Sequence, residues 1–369
     1  MKKVIQRVLL VLLAIVLVCI AIFVGIYFGR FRTLASIEKL SSYSDGYDLY
    51  RMDIKYNYSI DDVINYGIKD DQTMIDAIIK ESLPLLPVSI KAPKFGCTAF
   101  KLLDMEKDFH MGRNYDFKND TSAMLVYCAP KNGYKSVAFA ALDNISANVP
   151  DKSLKKKLAT LTAPFICLDG MNEKGVSIAV LTLDSAPTHH ETGKPTIATT
   201  LAIRLILDRA ATTDEAIELL RKYDMFASSG RDYHFYITDA QGNGRVVEYD
   251  CDSDTRELVD SESEVVTNFF VKYKDKVLPK QRNGVYGHGK ERYDAVIDVL
   301  SEQKGKFTNS TVWDSLKASS QDPNPTDITS NTQWSINYNN TDLTAEIVIR
   351  RNWNDLIRYN LKNNSIVNS

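Results

Sequence analysis

The sequence has no excess of basic residues, which argues against nucleic acid as a partner. Its 369 residues include 45 Lys and Arg against 47 Asp and Glu, for a formal net charge of −2. Proteins that bind DNA or RNA usually carry a basic patch, because phosphate contacts supply much of their affinity. The sequence contains neither a basic stripe with interleaved aromatic residues nor a nucleic-acid-binding motif. We therefore expect no nucleic-acid partner.

Cysteine is also scarce, and its spacing argues against two kinds of site. The five cysteines are Cys19, Cys97, Cys128, Cys167 and Cys251. None of them forms a C-x-x-C motif, so neither a structural zinc site nor a disulfide framework is indicated. A disulfide between two of Cys128, Cys167 and Cys251 stays open for a domain outside the cell.

The motifs of other common sites are missing as well. No G-x-S-x-G elbow of a serine hydrolase occurs. The "QGNG" at 241–244 lies between two predicted strands and indicates a hairpin turn, since a nucleotide-binding loop would precede a helix. His189 and His190 lack further ligands at a metal-binding spacing, and His288 lies in a glycine-rich loop. We expect no metal and no organic cofactor.

A long uncharged run is present at the N-terminus. Residues 8–28 contain no charged side chain, and at about 1.5 Å per residue they would extend about 31 Å as a helix, the thickness of a bilayer core. The run predicts a transmembrane signal anchor over residues 1–29. Lys2, Lys3 and Arg7 favour a cytoplasmic N-terminus, which leaves the rest of this single-pass chain outside the cell membrane. A buried globular helix and a signal cleaved after Ala35 are the alternatives.

Residues 30–96 are predicted to form a helical leader. Ser59 precedes acidic residues in "SIDDVINYGI", a pattern typical of a helix N-cap. A second predicted helix, in "DDQTMIDAIIKESLPLLP", ends at Pro84 and Pro87 because proline cannot continue a helix. The leader stands before the cysteine-containing segment and is interpreted as a pro-segment.

Residues 97–369 change to a pattern of hairpins and amphipathic helices and are predicted to form one domain. Predicted strands occur in "CTAFKLLD", "FHMGRNYDF", "AMLVYCAP", "YKSVAFAAL", "FICLDGMNEKGVSIAVLTL", "HFYITDA", "RVVEYD", "EVVTNFF" and "TQWSINYNNTDLTAEIVIRR". Predicted helices occur in "TIATTLAIRLILDRA", "TDEAIELLRKYD", "ERYDAVIDVLSEQ" and "NSTVWDSLKAS", the second starting at a Thr212–Glu215 capping box. Adjacent hairpins predict an α+β fold with antiparallel sheets rather than a doubly wound parallel sheet.

Cys97, in "FGCTAF", is the residue that best supports a catalytic interpretation. A papain-like pair of Cys97 with His234 or His288 is conceivable, although the local papain signature is absent. The residues taken alone also allow a surface ion pair between Arg113 and Asp116.

The motifs after Cys97 together resemble the choloylglycine hydrolase and linear-amide hydrolase superfamily. The matching pieces are "CTAF", "GRNYDF", "DGMNEKGVSIAVL", "VVTN", "ERYD" and "WSINYN…RRN", in family order over residues 97–369. This superfamily includes bile salt hydrolases, penicillin V acylases and isopenicillin N acyltransferase-like proteins, which are N-terminal-nucleophile hydrolases. The resemblance implies a four-layer αββα fold, and it does not extend to residues 1–96.

The resemblance implies a role for each matching residue. Cys97 would attack a linear amide as an N-terminal nucleophile, once the chain is cut between Gly96 and Cys97, and would form a thioester. Asp116 would hold the new amine, and Arg113 would favour the thiolate. The remaining two residues are Asn268, which would donate to the oxyanion, and Arg292, which would steady the charges of the site.

One position departs from the family pattern. Bile salt hydrolases carry an oxyanion asparagine ten residues after the Asn of "MNEKG", and Thr182 occupies that place here. The change puts a preference for bile salts or penicillin V in doubt, while Asn172 itself is interpreted as a turn residue.

The sequence therefore predicts a membrane-anchored amidase that acts on a small-molecule acyl amide. Its partners would be this substrate and the membrane, through residues 8–28, and a homo-oligomer stays open. An acyltransferase that passes the acyl group to an amine, and a binding protein that keeps the fold without catalysis, are the alternatives.

Overall fold

The computed structural model describes residues 2–43, 46–86, 96–282, 284–324, 326–327 and 330–367. The helices are α1 (Lys2–Ala35), α2 (Ile60–Asn65), α3 (Asp71–Ser82), α4 (Leu154–Ala159), α5 (Thr199–Arg209), α6 (Thr213–Leu220), α7 (Lys290–Glu302) and α8 (Asn309–Ala318). The strands are β1 (Glu38–Ser41), β2 (Leu49–Asp53), β3 (Gly96–Leu103), β4 (Phe109–Asp116), β5 (Ala123–Cys128), β6 (Ser136–Ala141), β7 (Cys167–Asn172), β8 (Ser177–Leu183), β9 (Thr196–Ala198), β10 (Asp224–Phe226), β11 (Asp232–Thr238), β12 (Gly244–Tyr249), β13 (Leu258–Glu262), β14 (Val265–Val266), β15 (Thr332–Asn339), β16 (Thr344–Ile349), β17 (Leu356–Asn360) and β18 (Ser365–Val367).

Two large sheets form the middle of the molecule. The nine-stranded sheet has the order β1-β2-β5-β6-β7-β8-β11-β12-β13, and the seven-stranded sheet has the order β14-β3-β4-β15-β16-β17-β18. Helices α5 and α6 pack on the first sheet, and α7 and α8 pack on the second. The sheets meet face to face, where Trp334 stacks on Tyr115 at 4.1 Å and lies 6.3 Å from Phe139 of the other sheet. The predicted four-layer αββα fold is confirmed.

The predicted hairpins are confirmed. Antiparallel pairs join β5 to β6, β7 to β8, β11 to β12, and β15 to β16. Thr212 caps α6 by accepting the N–H of Glu215, but Glu215 accepts from Ala211 rather than from Thr212, so the capping box is only half formed.

The leader is not purely helical, and this part of the prediction was wrong. Its helices α2 and α3 begin at the N-caps Ser59 and Asp70, but β1 and β2 precede them. Strand β2 pairs in parallel with β5 and antiparallel with β1, so it continues the nine-stranded sheet. The alternation in "DLYRMD" explains the strand, because Leu49, Tyr50 and Met52 are fully buried beside more polar neighbours. Pro87, a predicted helix stop, lies outside the described residues.

The leader also contacts the C-terminal end of the chain. Arg51 donates through Nη2 to the backbone and side-chain oxygens of Asn364, each at 2.8 Å. Asn364 in turn donates to Asp53 at 3.3 Å. The first and last parts of the described chain therefore meet at one edge of the fold.

Helix α1 has the length and apolarity needed to cross a membrane. Residues 3–25 are all exposed, whereas the end of the helix packs on the leader. Arg30 donates to the carbonyls of Ser82 at 2.6 Å and Glu81 at 2.5 Å, and the Tyr27 hydroxyl donates to the carbonyl of Pro84. The apolar part of α1 thus extends away from the domain, while its last turns are fixed to it.

Candidate active site

Cys97 lies at the start of β3, which is the second strand from one edge of the seven-stranded sheet. Strand β3 runs between β14 and β4, and its register pairs Gly96 with Asp116 and Cys97 with Tyr115. The Cys97 side chain is fully buried. Burial raises the pKa of its thiol to about 12, and the cation of Arg113 opposes that rise. In the continuous chain Cys97 is therefore a neutral thiol at physiological pH.

Arg292 contacts the residue at the junction directly. Its Nη1 donates to the carbonyl of Cys97 at 2.8 Å and to Thr98 Oγ1 at 3.0 Å, and its Nη2 donates to Asn268 Oδ1 at 2.7 Å. The guanidinium also lies 3.5 Å from Asp116 Oδ2. It reaches these groups from the first turn of α7, just after Gly289. A Cβ on Gly289, whose φ is +87°, would approach Arg292 Nη2 to 2.4 Å, so a glycine is needed there.

Asn268 completes the contacts of the Cys97 backbone. Strand β14 pairs Val266 with Ala99, and the same register carried two residues further places Asn268 opposite Cys97. Its Oδ1 accepts the N–H of Cys97 at 3.1 Å, and its Nδ2 donates to the carbonyl of Thr182 at 2.8 Å. The amide thus connects Cys97 to the end of β8.

Asp116 is a buried carboxyl held by Thr332. The Thr332 hydroxyl donates to Asp116 Oδ1 at 2.6 Å. Burial raises the pKa of Asp116 to about 6, and the charge of Arg292 is the largest influence that opposes it. Its ionisation therefore changes close to physiological pH.

Arg113 is a fully buried cation next to the thiol. Its charge opposes the rise in the pKa of the Cys97 thiol, while its Nε donates to Asp169 at 3.2 Å and its Nη2 donates to the carbonyl of Val180 at 2.9 Å. Asp169 also accepts from Tyr338 and Trp334. The alternative of a surface ion pair between Arg113 and Asp116 is wrong, because Arg113 is buried and its carboxylate partner is Asp169.

The five candidate residues are therefore brought together, and Thr182 borders them. The Thr182 carbonyl accepts from Asn268, whereas its hydroxyl accepts from Arg231 Nε at 3.0 Å. Sequence reasoning missed Asp169 and Thr332. Asp169 is the first residue of the "DGMNEKG" motif, so its presence there was a usable signal.

A cavity of about 340 Å³ is lined by residues that include close sequence neighbours of the site residues, and the described residues that line it are all polar. They are Lys118, Asp184, Arg282, His288, Asn324, Thr326 and Asp327. Lys118 follows Asp116 by two positions and Asp184 follows Thr182 by two, while the His288 N–H donates to the carbonyl of Asn268 at 2.9 Å. The cavity is therefore built on the ends of the same strands that carry the site.

The papain-like pairing and the disulfide are not formed. His234 contacts Glu248 and the Thr267 carbonyl, and His288 contacts Asp184. Neither histidine has a described hydrogen bond to Cys97. All five cysteines are free thiols, so no disulfide joins any two of Cys128, Cys167 and Cys251. Among the described residues, one group of side chains could hold a metal ion: Asp104, Asp108 and His110. This group lies away from Cys97, at the other end of β3 and β4.

Comparisons with known proteins agree with the motifs. Residues 97–273 match the family model of the linear amide C-N hydrolases, choloylglycine hydrolase family. No curated protein matches the sequence. The resemblance to the linear amide C–N hydrolase superfamily is confirmed.

Solved structures share the fold at low sequence identity. Penicillin V acylase from Agrobacterium tumefaciens has a TM-score of 0.53 at 18% identity, over 72% of this chain and 86% of that chain. A variant of conjugated bile acid hydrolase from Clostridium perfringens has a TM-score of 0.53 at 16% identity, over 73% of this chain and 96% of that one. A second variant of the same hydrolase has a TM-score of 0.52 at 16% identity, over 73% and 95%.

Proposed function

On the premise that this chain is a linear amide C–N hydrolase of the choloylglycine hydrolase type, we propose that Cys97 is its N-terminal nucleophile. The observation that carries the proposal is that Asn268 and Arg292 hold the N–H and the carbonyl of Cys97, while Arg113 and Asp116 lie on β4, the strand paired with β3. A cysteine with only a packing role would not need its N–H and its carbonyl each held by a separate polar side chain.

The first reaction is cleavage of the chain itself. The Cys97 sulfur attacks the carbonyl carbon of Gly96, a C–S bond forms, and the C–N bond breaks as the Cys97 nitrogen takes up a proton. Water then hydrolyses this thioester and releases a carboxylate on Gly96 and a free α-amine on Cys97. Asn268 Oδ1, which already accepts the Cys97 N–H, supports the amine after the cut.

The cut converts a poor nucleophile into an effective one. A buried thiol with a raised pKa is mostly neutral, and only the thiolate attacks efficiently. The freed α-amine, with an ordinary pKa near 8, is a base next to its own thiol. Arg113 then stabilises the thiolate, and Asp116 and Asn268 hold the amine.

The mature enzyme would hydrolyse a small-molecule acyl amide through the same steps. Cys97 attacks the amide carbonyl and the amine leaves, after which water releases the acid from the thioester. The Asn268 amide has two N–H donors, one of which is bound to Thr182. The second can donate to the oxyanion of the tetrahedral intermediate. The polar cavity beside the site favours a substrate with a polar group next to the scissile bond.

The proposal includes the location of the enzyme. The exposed apolar helix α1 supports a single-pass anchor in the cell membrane. The basic residues before it favour a catalytic domain on the outside.

Mass spectrometry and a Cys97→Ala variant test the function. We expect the purified wild-type protein to contain a fragment that begins with Cys97 and to hydrolyse at least one member of an acyl-amide panel. Cys97→Ala should remain a single chain and hydrolyse none, whereas Cys128→Ala, another buried thiol, should cut and hydrolyse normally. An active protein in which Gly96 stays joined to Cys97 would contradict the mechanism.

A further inference from the structure

Asn268 depends on contacts outside its own strand for its position. Strand β14, just before it, is only two residues long and lies at the edge of the seven-stranded sheet. Strand β14 has only two residue pairs with β3. This pairing alone would not fix the Asn268 side chain with the precision that catalysis requires. The segment that carries Asn268 must therefore be fixed by other groups.

His234 supplies one such contact from the opposite sheet. It lies on β11, is fully buried, and faces an acceptor with each ring nitrogen. Its Nδ1 lies 3.0 Å from Glu248 Oε1, and its Nε2 lies 2.9 Å from the carbonyl oxygen of Thr267, the residue before Asn268. A carbonyl oxygen cannot donate, so Nε2 must carry a proton.

Glu248 supplies a second contact on the other side of Asn268. Its Oε1 accepts the N–H of Val271 at 2.7 Å, and its Oε2 accepts the N–H of Lys272 at 3.1 Å. A carboxyl that accepts backbone N–H groups is favoured in its ionised form. In that form it can only accept from Nδ1 of His234.

We propose that His234 and Glu248 form a buried ion pair that positions Asn268, with His234 as a positively charged positioning residue. The pair holds the carbonyl of Thr267 on one side of Asn268 and the N–H groups of Val271 and Lys272 on the other. This inference rests on the proposed function, because it assigns these residues to the geometry of the Cys97 site.

The charge of His234 can be measured without a variant of His234. The chain has five histidines, so ¹⁵N-histidine NMR of the full chain in detergent gives few signals. Substituting the other four in turn identifies the signal of His234. We expect imidazolium shifts for His234 at pH 7.5. A neutral ring there would overturn the ion pair.

The positioning role is tested by His234→Gln, which keeps one donor but loses the charge. We expect the rate of Gly96–Cys97 cleavage and the kcat of the processed enzyme to fall by about 10- to 100-fold, as misplacement of a reacting group does. KM should change by less than about threefold, because neither His234 nor Glu248 lines the polar cavity. Glu248→Gln should give the same pattern.

His110→Gln is the matched control. His110 is also buried, with Asp104 at 3.2 Å and Asn337 at 3.0 Å from its ring nitrogens, but it lies at the opposite end of β4. We expect unchanged kcat and cleavage from this variant even where its stability falls. If folded His234→Gln and Glu248→Gln match the wild type in kcat, the positioning role is wrong. A wild-type chain that neither cuts nor hydrolyses would instead contradict the proposed function and leave the charge measurement standing.

Discussion

Asp116 is a buried carboxyl whose pKa is raised towards physiological pH. Its carboxyl is fully buried, accepts a hydrogen bond from Thr332, and lies 3.5 Å from Arg292. Because burial disfavours the ionised form, the charged partner of Arg292 is present only above the raised pKa. The ion pair between Asp116 and Arg292 in the uncut chain therefore depends on pH.

We expect the cleavage of the Gly96–Cys97 bond to follow the ionisation of Asp116. The pKa of Asp116 is raised to about 6 in the uncut chain, so its carboxylate is lost as the pH falls through about 6. The first-order cleavage rate, measured by gel densitometry on chains purified uncut, should rise between about pH 5 and pH 7.

The Asp116→Asn variant should cleave slowly at every pH, and its cleavage rate should not rise near pH 6. Asp120→Asn, in which the replaced carboxyl is half-exposed and pairs with Arg350, is the control and should keep the wild-type profile. A step near pH 6 that survives in Asp116→Asn would assign the ionisation to another group.

At the scale of elements, the end of α1 is fixed to the leader by close backbone contact at Gly29. A Cβ at Gly29 would meet the carbonyl oxygen of Lys55 at 2.5 Å and Tyr56 Cα at 2.9 Å. By contrast, a Cβ at Gly25, one turn earlier, would meet nothing within 4 Å. The helix therefore approaches the domain only in its last turns.

Gly29→Ala should loosen this junction, and Gly25→Ala is its matched control. Overpacking against backbone typically costs about 1–3 kcal/mol, so we expect a lower unfolding temperature and faster hydrogen exchange at residues 55–57. Gly25→Ala should leave both values at the wild-type level. Equal exchange in the two variants would mean that the contact at Gly29 does not hold the helix.

The sequence predicted the elements whose patterns are local. The hairpins around 173–175 and 241–244 carry turn residues between two apolar strands, and α6 carries an N-cap at Thr212, so each could be predicted from a few adjacent residues. Strands β1 and β2 were missed because β2 gains its partner from β5, more than 70 positions away. The alternation around residues 49–53 is too short to predict a strand by itself, and the local sequence does not identify β5 as the partner.

The candidate site was predicted from the motifs of the family resemblance rather than from local patterns of apolar and turn residues. Arg113, Asn268 and Arg292 lie far apart in the sequence, and only the family resemblance put them in one site. His234 and Glu248 could not be found in this way, because their importance depends on a contact between the two sheets. That contact exists only once both sheets have formed.

At the scale of the whole molecule, the leader is part of the domain it precedes. Leu49, Tyr50 and Met52 of β2 are fully buried, and burial of a side chain of this size contributes about 1.5–3 kcal/mol. Tyr56 also donates to the carbonyl of Leu161 at 2.6 Å, and Tyr58 donates to Asp208 at 2.9 Å. None of these contacts is removed by a cut after Gly96.

We therefore expect the two fragments to stay together after cleavage. A cut after Gly96 divides the 369 residues into an N-terminal fragment ending at Gly96 and a C-terminal one starting at Cys97. Size-exclusion chromatography in detergent should give one species that separates into both fragments only on denaturing gels. Urea that dissociates the fragments should abolish hydrolysis at the same concentration. A C-terminal fragment that elutes alone and remains active would refute this.

The bonds between Arg51, Asp53 and Asn364 have a consequence for biosynthesis. They join the leader to a residue that is translated 311 positions after Asp53. Strand β15, which supplies Thr332 to Asp116, also emerges late. A chain truncated during translation would lack these partners and could not assemble the site that cuts it. Self-cleavage would thus report that β15 and Asn364 had been synthesised, and chains truncated before them would remain uncut, inactive and open to degradation.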